Sequence, residues 1–291
     1  MLQRTKELTR RLLSSLDLVP SRYRPYLYRR YRYREGGKMR AALGPELAST
    51  IRWDVEDPVA PPSGELERLF FETDNVHKWL HYLPVYERAL AGLRAKPGRF
   101  LEIGVWRGGS LGMWRRYFHP ETVIVGIDID PSCKRFDRAA TNQHVRIGSQ
   151  EDVEFLRAVV SEFGPFDAIL DDGSHLSSHM VETFRFLFTN GLADGGTYIV
   201  EDLHCNYWTS HRDDRMSFVD FTRCLIDSMH AHYHGLPAEG EGRFRLDSVD
   251  RRRSFDVPLA TVLLESIEVH DSIAVIRRAN GRRIVPRTAC R

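Results

Sequence analysis

Between residues 98 and 202 the sequence alternates short apolar runs with amphipathic stretches, and this alternation limits the fold more than any other feature. GRFLEIGV, TVIVGIDID, HVRIGS, PFDAILDD and GGTYIVEDL each read as a buried strand. The intervening SLGMWRRYF, EDVEFLRAVVSEFG and SHMVETFRFLFTNGL read as helices. In the last of these Met180, Val181, Phe184, Leu187 and Phe188 share one face. Strands alternating with helices build a mostly parallel sheet with helices on both faces, an α/β fold. Downstream, residues 215–235 read as helical. SIEVHDSIAVIRR reads as two strands turning near Asp271-Ser272, which makes the last strand antiparallel. Upstream, residues 66–95 read as helical with a break near Pro84.

Composition narrows the function. No apolar run in the 291 residues approaches the roughly 18 needed to span a bilayer. Residues 1–20 are charged throughout and lack the apolar core of a signal peptide, so secretion by that route is not expected. The 4 cysteines, Cys133, Cys205, Cys224 and Cys290, lie far apart with no C-x-x-C pair. Reduced thiols in a cytoplasm are the expectation.

Charge is distributed unevenly. Residues 1–40 carry 12 Lys or Arg against 3 acids, while the remainder has a net charge of −7. An acidic body disfavours general nucleic-acid binding. Within the basic segment, residues 4–18 have the spacing of an amphipathic helix, and SRYRPYLYRRYRYREGG interleaves five tyrosines with arginines. That stretch suits either peripheral contact with a membrane or other polyanion, or packing on the body or on a second copy of the chain. VEDPVAPPSGE, residues 55–65, reads as a Pro-rich linker. The expected organisation is a basic arm and linker over 1–60 and a single domain over 61–291.

In an open parallel sheet, ligands bind outside the carboxyl ends of the strands. Those positions are rich in acid and glycine here. After the first strand come Glu102, Gly104, Gly108, Gly109 and Ser110. Gly104 sits where the strand must turn, and Gly108 and Gly109 would let backbone approach a ligand at the next helix N-terminus. The spacing is not G-x-G-x-x-G, and a generic strand–turn–helix fits equally. Asp128 ends the second strand, where an acid accepts from ribose hydroxyls. Asp130 is the alternative, although Pro131 after it favours a helix cap. Ser149-Gln150, after the third strand, would hold an adenine edge, or Ser149 would cap the helix that begins near Glu151.

Asp171-Asp172-Gly173-Ser174-His175 follows the fourth strand, and Glu201-Asp202 the fifth. Asp172, Glu201 and Asp202 would supply oxygen ligands for Mg²⁺ or a similar hard cation. His175 would act as a general base beside it. The competing reading has Ser174 or Ser177 capping a helix and the acids solvated.

With these residues in place the chain resembles the class I S-adenosylmethionine-dependent methyltransferases, through FLEIGVWRGGS and VGIDID. ILDDGSH followed by TYIVEDLHCNYW is similar to the metal-dependent sugar O-methyltransferases of antibiotic biosynthesis, of the mycinamicin and rhamnosyl type. The resemblance covers about residues 66–277 and implies a Rossmann-like sheet. It also implies Asp172, Glu201 and Asp202 as ligands of Mg²⁺ or Mn²⁺, and His175 as general base. Donor contacts are implied for Glu102, Gly104, Gly108, Asp128, Ser149, Gln150 and Asp171. The implied substrate is a glycosylated small molecule. TDNVHKWLHYLPVYE resembles an upstream family segment with T-D-K and H-x-Y. Here Asn75 stands in place of that lysine, which loosens any role for Thr73, Asp74, His81 or Tyr82. Catechol-type or cephalosporin hydroxylase-like chemistry at the same metal site, and a non-catalytic membrane- or polyanion-binding protein, are the alternatives.

Overall fold

The computed structural model describes residues 41–52, 64–234 and 256–284. The expected helix over 4–18, the Arg/Tyr stretch and most of the Pro-rich linker lie outside them.

Seven strands form one sheet: β1 (Arg99–Ile103), β2 (Val123–Asp128), β3 (Gln143–Ile147), β4 (Phe166–Asp171), β5 (Leu192–Val200), β6 (Leu264–His270) and β7 (Ile273–Arg278). Their order is β3-β2-β1-β4-β5-β7-β6. Strands β1 to β5 pair in parallel, and β7 runs antiparallel to both β5 and β6. The expected sheet, with an antiparallel last strand, is therefore observed. The turn between β6 and β7 falls at Asp271 and Ser272, the latter with φ of 63°.

The period-two side-chain alternation of the strands separates two cores. On one face Leu101, Ile103, Ile169 and Val200 pack against helices Val153–Phe163, Ser177–Asn190 and Phe218–Met229. The five apolar residues expected on one side of the second helix are all buried there. On the other face Phe100, Ile124, Leu170 and Ile199 pack against helices Glu65–Phe71, Leu83–Ala95 and Gly109–Tyr117. Glu102 alternates with Leu101 and Ile103, so its carboxylate is carried into this second, apolar face and is completely buried. The chain leaves β1 in one direction to reach β2 and returns to the other side of β1 for β4. The carboxyl ends of β1 and β4 are thus the point where the winding reverses and a crevice opens.

The break expected near Pro84 lies elsewhere. The chain leaves the helix after Phe71, passes through an irregular stretch with Asn75 at φ of 60°, and makes a 3-10 turn at Leu80–Tyr82. Pro84 stands in the first turn of the next helix, where a missing N–H leaves no bond unmade.

Candidate active site

A cavity of about 570 Å³ opens at the carboxyl ends of β1, β2, β4 and β5. One end is framed by Gly104, Trp106, Asp128, Asp130 and Ser149, the other by Asp172, His175, Glu201 and Asp202.

The first end is organised by Asp128. Its Oδ2 accepts from the backbone amides of Val105 and Trp106 at 2.8 Å each, and its Oδ1 from Asp130 N at 2.8 Å. The loop after β1 is thereby tied to the tip of β2. Gly104 has φ of 94°, and a Cβ there would run into the Asp172 carbonyl oxygen, so no other residue fits without displacing the neighbouring strand tip. The glycines of the following turn have protein neighbours where ligand approach was expected. A Cβ on Gly108 would meet the Phe136 ring, and one on Gly109 the backbone of Asp74 and Asn75. Asp130 lines the cavity but also accepts from Ser132 N ahead of Pro131, as a cap does.

Behind the floor, Asp171 and Gln150 form a buried network. Asp171 Oδ1 accepts from Gln150 Nε2 and Gly173 N, and its other oxygen from the Tyr198 hydroxyl. Burial pushes its pKa up to about 7. Gln150 Oε1 accepts from Ser174 N at 2.8 Å. Gln150 reaches the cavity, whereas Asp171 does not line it. Asp171 shapes the loop that carries Asp172 and His175. The capping alternatives also resolve differently from expectation. Asp152, not Ser149, caps helix Val153–Phe163 through the amides of Glu154 and Phe155. Neither Ser174 nor Ser177 caps helix Ser177–Asn190; the remote Asp213 accepts from Ser178 N.

At the second end the acids converge around a residue that the sequence reading passed over. Lys78, from the irregular stretch before the 3-10 turn, is buried with its ammonium against Asp172, 2.7 Å from Glu201 Oε1 and 3.7 Å from Glu102 Oε1. Burial alone would pull the lysine pKa down, but the three carboxylates reverse this and hold it above its usual range. Burial, and then the neighbouring Asp172, raise the pKa of Glu201. Glu102 is pushed up to about 7 by burial, against the pull of Lys78 and of bonds from Trp114 Nε1 and Ser110 Oγ. Glu102 does not line the cavity; the cation it faces is a side chain of the same protein.

Asp202 and His175 both have left-handed backbone, with φ of 53° and 56°, a costly conformation for residues with a Cβ that turns both side chains inward. His175 Nε2 lies 3.8 Å from Asp172 Oδ1 and 3.6 Å from Asp202 Oδ2, and its Nδ1 is buried without a hydrogen-bond partner. Burial lowers the histidine pKa, opposed by the two aspartates. The Tyr82 hydroxyl donates to Asp202 Oδ1 at 3.0 Å, joining the upstream segment to the site. Thr73 and Asp74 lie outside the cavity lining, and His81 Nε2 meets the Asp271 carbonyl at 3.0 Å.

The donor set suits a hard divalent cation. Asp172, His175 and Asp202 offer ligand atoms all within 4.8 Å of one another. Glu201 stands behind them, engaged by Lys78. Asp202, His204 and Cys205 form a second grouping of the same kind. The sequence signal for Lys78 was weak: a lysine three positions beyond Asn75, on a stretch whose irregular path periodicity does not reveal. No helix among the described residues is long and apolar enough to cross a membrane.

No family model matches the chain. It is 36% identical over 182 residues to the Streptomyces olivaceus 8-demethyl-8-(2-methoxy-alpha-L-rhamnosyl)-tetracenomycin-C 3'-O-methyltransferase, covering 57% of this chain and 45% of that one. Over 139 residues it is 40% identical to the Micromonospora griseorubida mycinamicin VI 2''-O-methyltransferase, covering 45% of this chain and 33% of that one. Among solved structures it resembles the MycE methyltransferase of the mycinamycin pathway in complex with Mg, SAH and mycinamycin VI. That match has a TM-score of 0.58 and 28% identity over 74% of this chain and 53% of the other. The chain thus spans about half the length of the curated relatives it matches. The resemblance drawn from the strand-tip motifs to class I methyltransferases of the sugar O-methyltransferase type is borne out by these likenesses.

Proposed function

We propose that this chain is an S-adenosylmethionine-dependent O-methyltransferase. It transfers a methyl group to a sugar hydroxyl of a glycosylated natural product or envelope glycan, with Mg²⁺ or Mn²⁺ in the acid cluster. The observation that carries this reading is the convergence of Asp172, His175 and Asp202 within 4.8 Å at one end of a cavity. Asp128 and its glycine loop frame the other end. Relatives named for rhamnosyl and olivosyl compounds support the sugar, and the solved likeness with Mg and SAH supports donor and cation.

A sulfonium methyl is already activated, so the protein's work is positioning and proton removal. Asp128 spends three of its four acceptor sites on backbone amides and has one left, on Oδ1, to accept from a ribose hydroxyl. Asp172 and Asp202, with Glu201 behind, would hold the cation, which when bound lowers the pKa of an oxygen it polarises. His175 removes the acceptor proton; burial favours its neutral, proton-accepting form. A positioned base of this kind contributes ~10²–10⁴-fold. A cytoplasmic setting belongs to the same proposal, as does contact of the basic segment with a membrane surface or a second copy of the chain.

Calorimetric titration of S-adenosylmethionine, with and without Mg²⁺, tests the donor and the cation; absence of binding under both conditions refutes the reading. His175→Ala is expected to keep donor and metal affinity while turnover falls ~10²–10⁴-fold. Asp172→Asn is expected to lose metal and activity together.

A further inference from the structure

The turn that follows β5 carries a second set of ligand atoms. Asp202, His204 and Cys205 offer an oxygen, a nitrogen and a sulfur, all within 4.8 Å of one another. A 3-10 turn over Leu203–Tyr207 gathers these near neighbours in sequence, closed by Cys205 N to Asp202 O at 2.9 Å. Asp202 belongs to both sets and turns one oxygen toward each. Its Oδ2 lies 3.6 Å from His175 Nε2, and its Oδ1 lies 3.9 Å from His204 Nδ1.

The two buried thiols among the described residues differ in their partners. Cys133 Sγ donates to Trp106 O at 3.1 Å. Cys205 is 2% exposed, and its thiol makes no hydrogen bond among the described residues. A sulfur that faces an imidazole and a carboxylate and is spent on no other bond is free to act as a ligand. His204 is oriented in advance, with Ser272 Oγ 3.1 Å from its amide and 2.6 Å from Nδ1. Sulfur with imidazole suits Zn²⁺ or Cd²⁺, whereas Mg²⁺ takes oxygen.

We infer that Asp202, His204 and Cys205 form a soft-cation site that takes Zn²⁺ and competes with the hard-cation site for Asp202. On binding, the Cys205 thiol proton leaves for solvent, a sulfur lone pair bonds the metal, and a fourth position is left for water. A zinc ion held there draws on the charge of Asp202 and repels a second divalent cation close by. Zn²⁺ is therefore an antagonist of Mg²⁺ in this chain, acting from beside the hard-cation site. The inference rests on the methyltransferase reading only for that consequence; the site itself stands on its three ligands.

The test uses the full chain, reduced, with Co²⁺ as a substitute for zinc and Mn²⁺ as a substitute for magnesium. Co²⁺ bonded to a thiolate gives a charge-transfer band in the near ultraviolet, which oxygen and nitrogen ligands do not give. The wild type is expected to show this band. Cys205→Ala should lose it and bind Co²⁺ about tenfold more weakly, while Cys224→Ala, which removes an exposed thiol, should keep it. His204→Gln should weaken Co²⁺ about tenfold with the band surviving at saturation, which decides the matter if Cys205→Ala fails to fold. Zn²⁺ should expel Mn²⁺, followed by electron paramagnetic resonance, at about tenfold lower concentration from wild type than from Cys205→Ala. No band in wild type, or a band that Cys205→Ala keeps, overturns the site. Equal Zn²⁺ concentrations for expelling Mn²⁺ from the two proteins overturn the antagonism. A wild type that gives the band but binds no S-adenosylhomocysteine in calorimetry keeps the soft-cation site and loses the methyltransferase reading.

Discussion

At one end of the cavity the Asp128 carboxylate is gripped by backbone, through two amides at 2.8 Å only 22 and 23 residues away in sequence. At the other end Asp172 and Glu201 are gripped by the single side chain of Lys78, 94 and 123 residues away. The first end is fixed by the path of a loop and by a glycine that nothing else can replace. The second is fixed by charge compensation, in which one buried ammonium faces three carboxylates. A backbone grip survives most side-chain changes nearby, whereas a charge grip fails as a unit when its one cation goes.

Four substitutions separate these two kinds of construction. Lys78→Met should have the largest effect. It leaves buried carboxylates uncompensated and should cost roughly 3–5 kcal/mol in urea unfolding. Added Mg²⁺ should recover part of the loss in the variant, because a divalent cation can take over the ammonium's role. Gly104→Ala comes next, at about 3 kcal/mol, from the strained φ and the collision with the Asp172 carbonyl. It should weaken S-adenosylhomocysteine binding as well, since it displaces the loop. Asp128→Asn should cost only about 1 kcal/mol of stability, because the amide oxygen still accepts, yet lower donor affinity about tenfold in calorimetry. Asp152→Ala, far from both ends, should cost about 1 kcal/mol as a lost helix cap and leave ligand affinity unchanged. If Lys78→Met proved no more damaging than Asp152→Ala, the contrast between the two ends would collapse.

Much of this was legible in the sequence because it is local. The strands announce themselves by apolar runs, and the sites by acids and glycines at strand tips, where the winding of an α/β sheet brings ligands. Asp128, Asp172, His175, Glu201 and Asp202 are therefore readable, and all five line one cavity. What escaped was long-range or dependent on which way a strand faces. Glu102 reads as a strand-tip acid, but alternation along β1 turns it away from the cavity into the apolar face that Lys78 enters. Lys78 itself sits on a stretch with neither helical nor strand period, and only its tertiary partners reveal it. The capping serines failed as candidates because Asp213, distant in sequence, supplies the acceptor at that helix start.

The β6–β7 hairpin has a consequence beyond completing the sheet. Because β7 runs against its neighbours, its beginning rather than its end lies at the cavity rim, and the two-residue turn reaches the site. Ser272 alone accepts from the Tyr82 hydroxyl at 3.1 Å and from Leu203 N at 2.9 Å, and holds His204 through its own hydroxyl. Two separate stretches of chain, at Tyr82 and at Leu203-His204, hang on one residue of a turn too short to stretch. Insertion there would unhook both of them together.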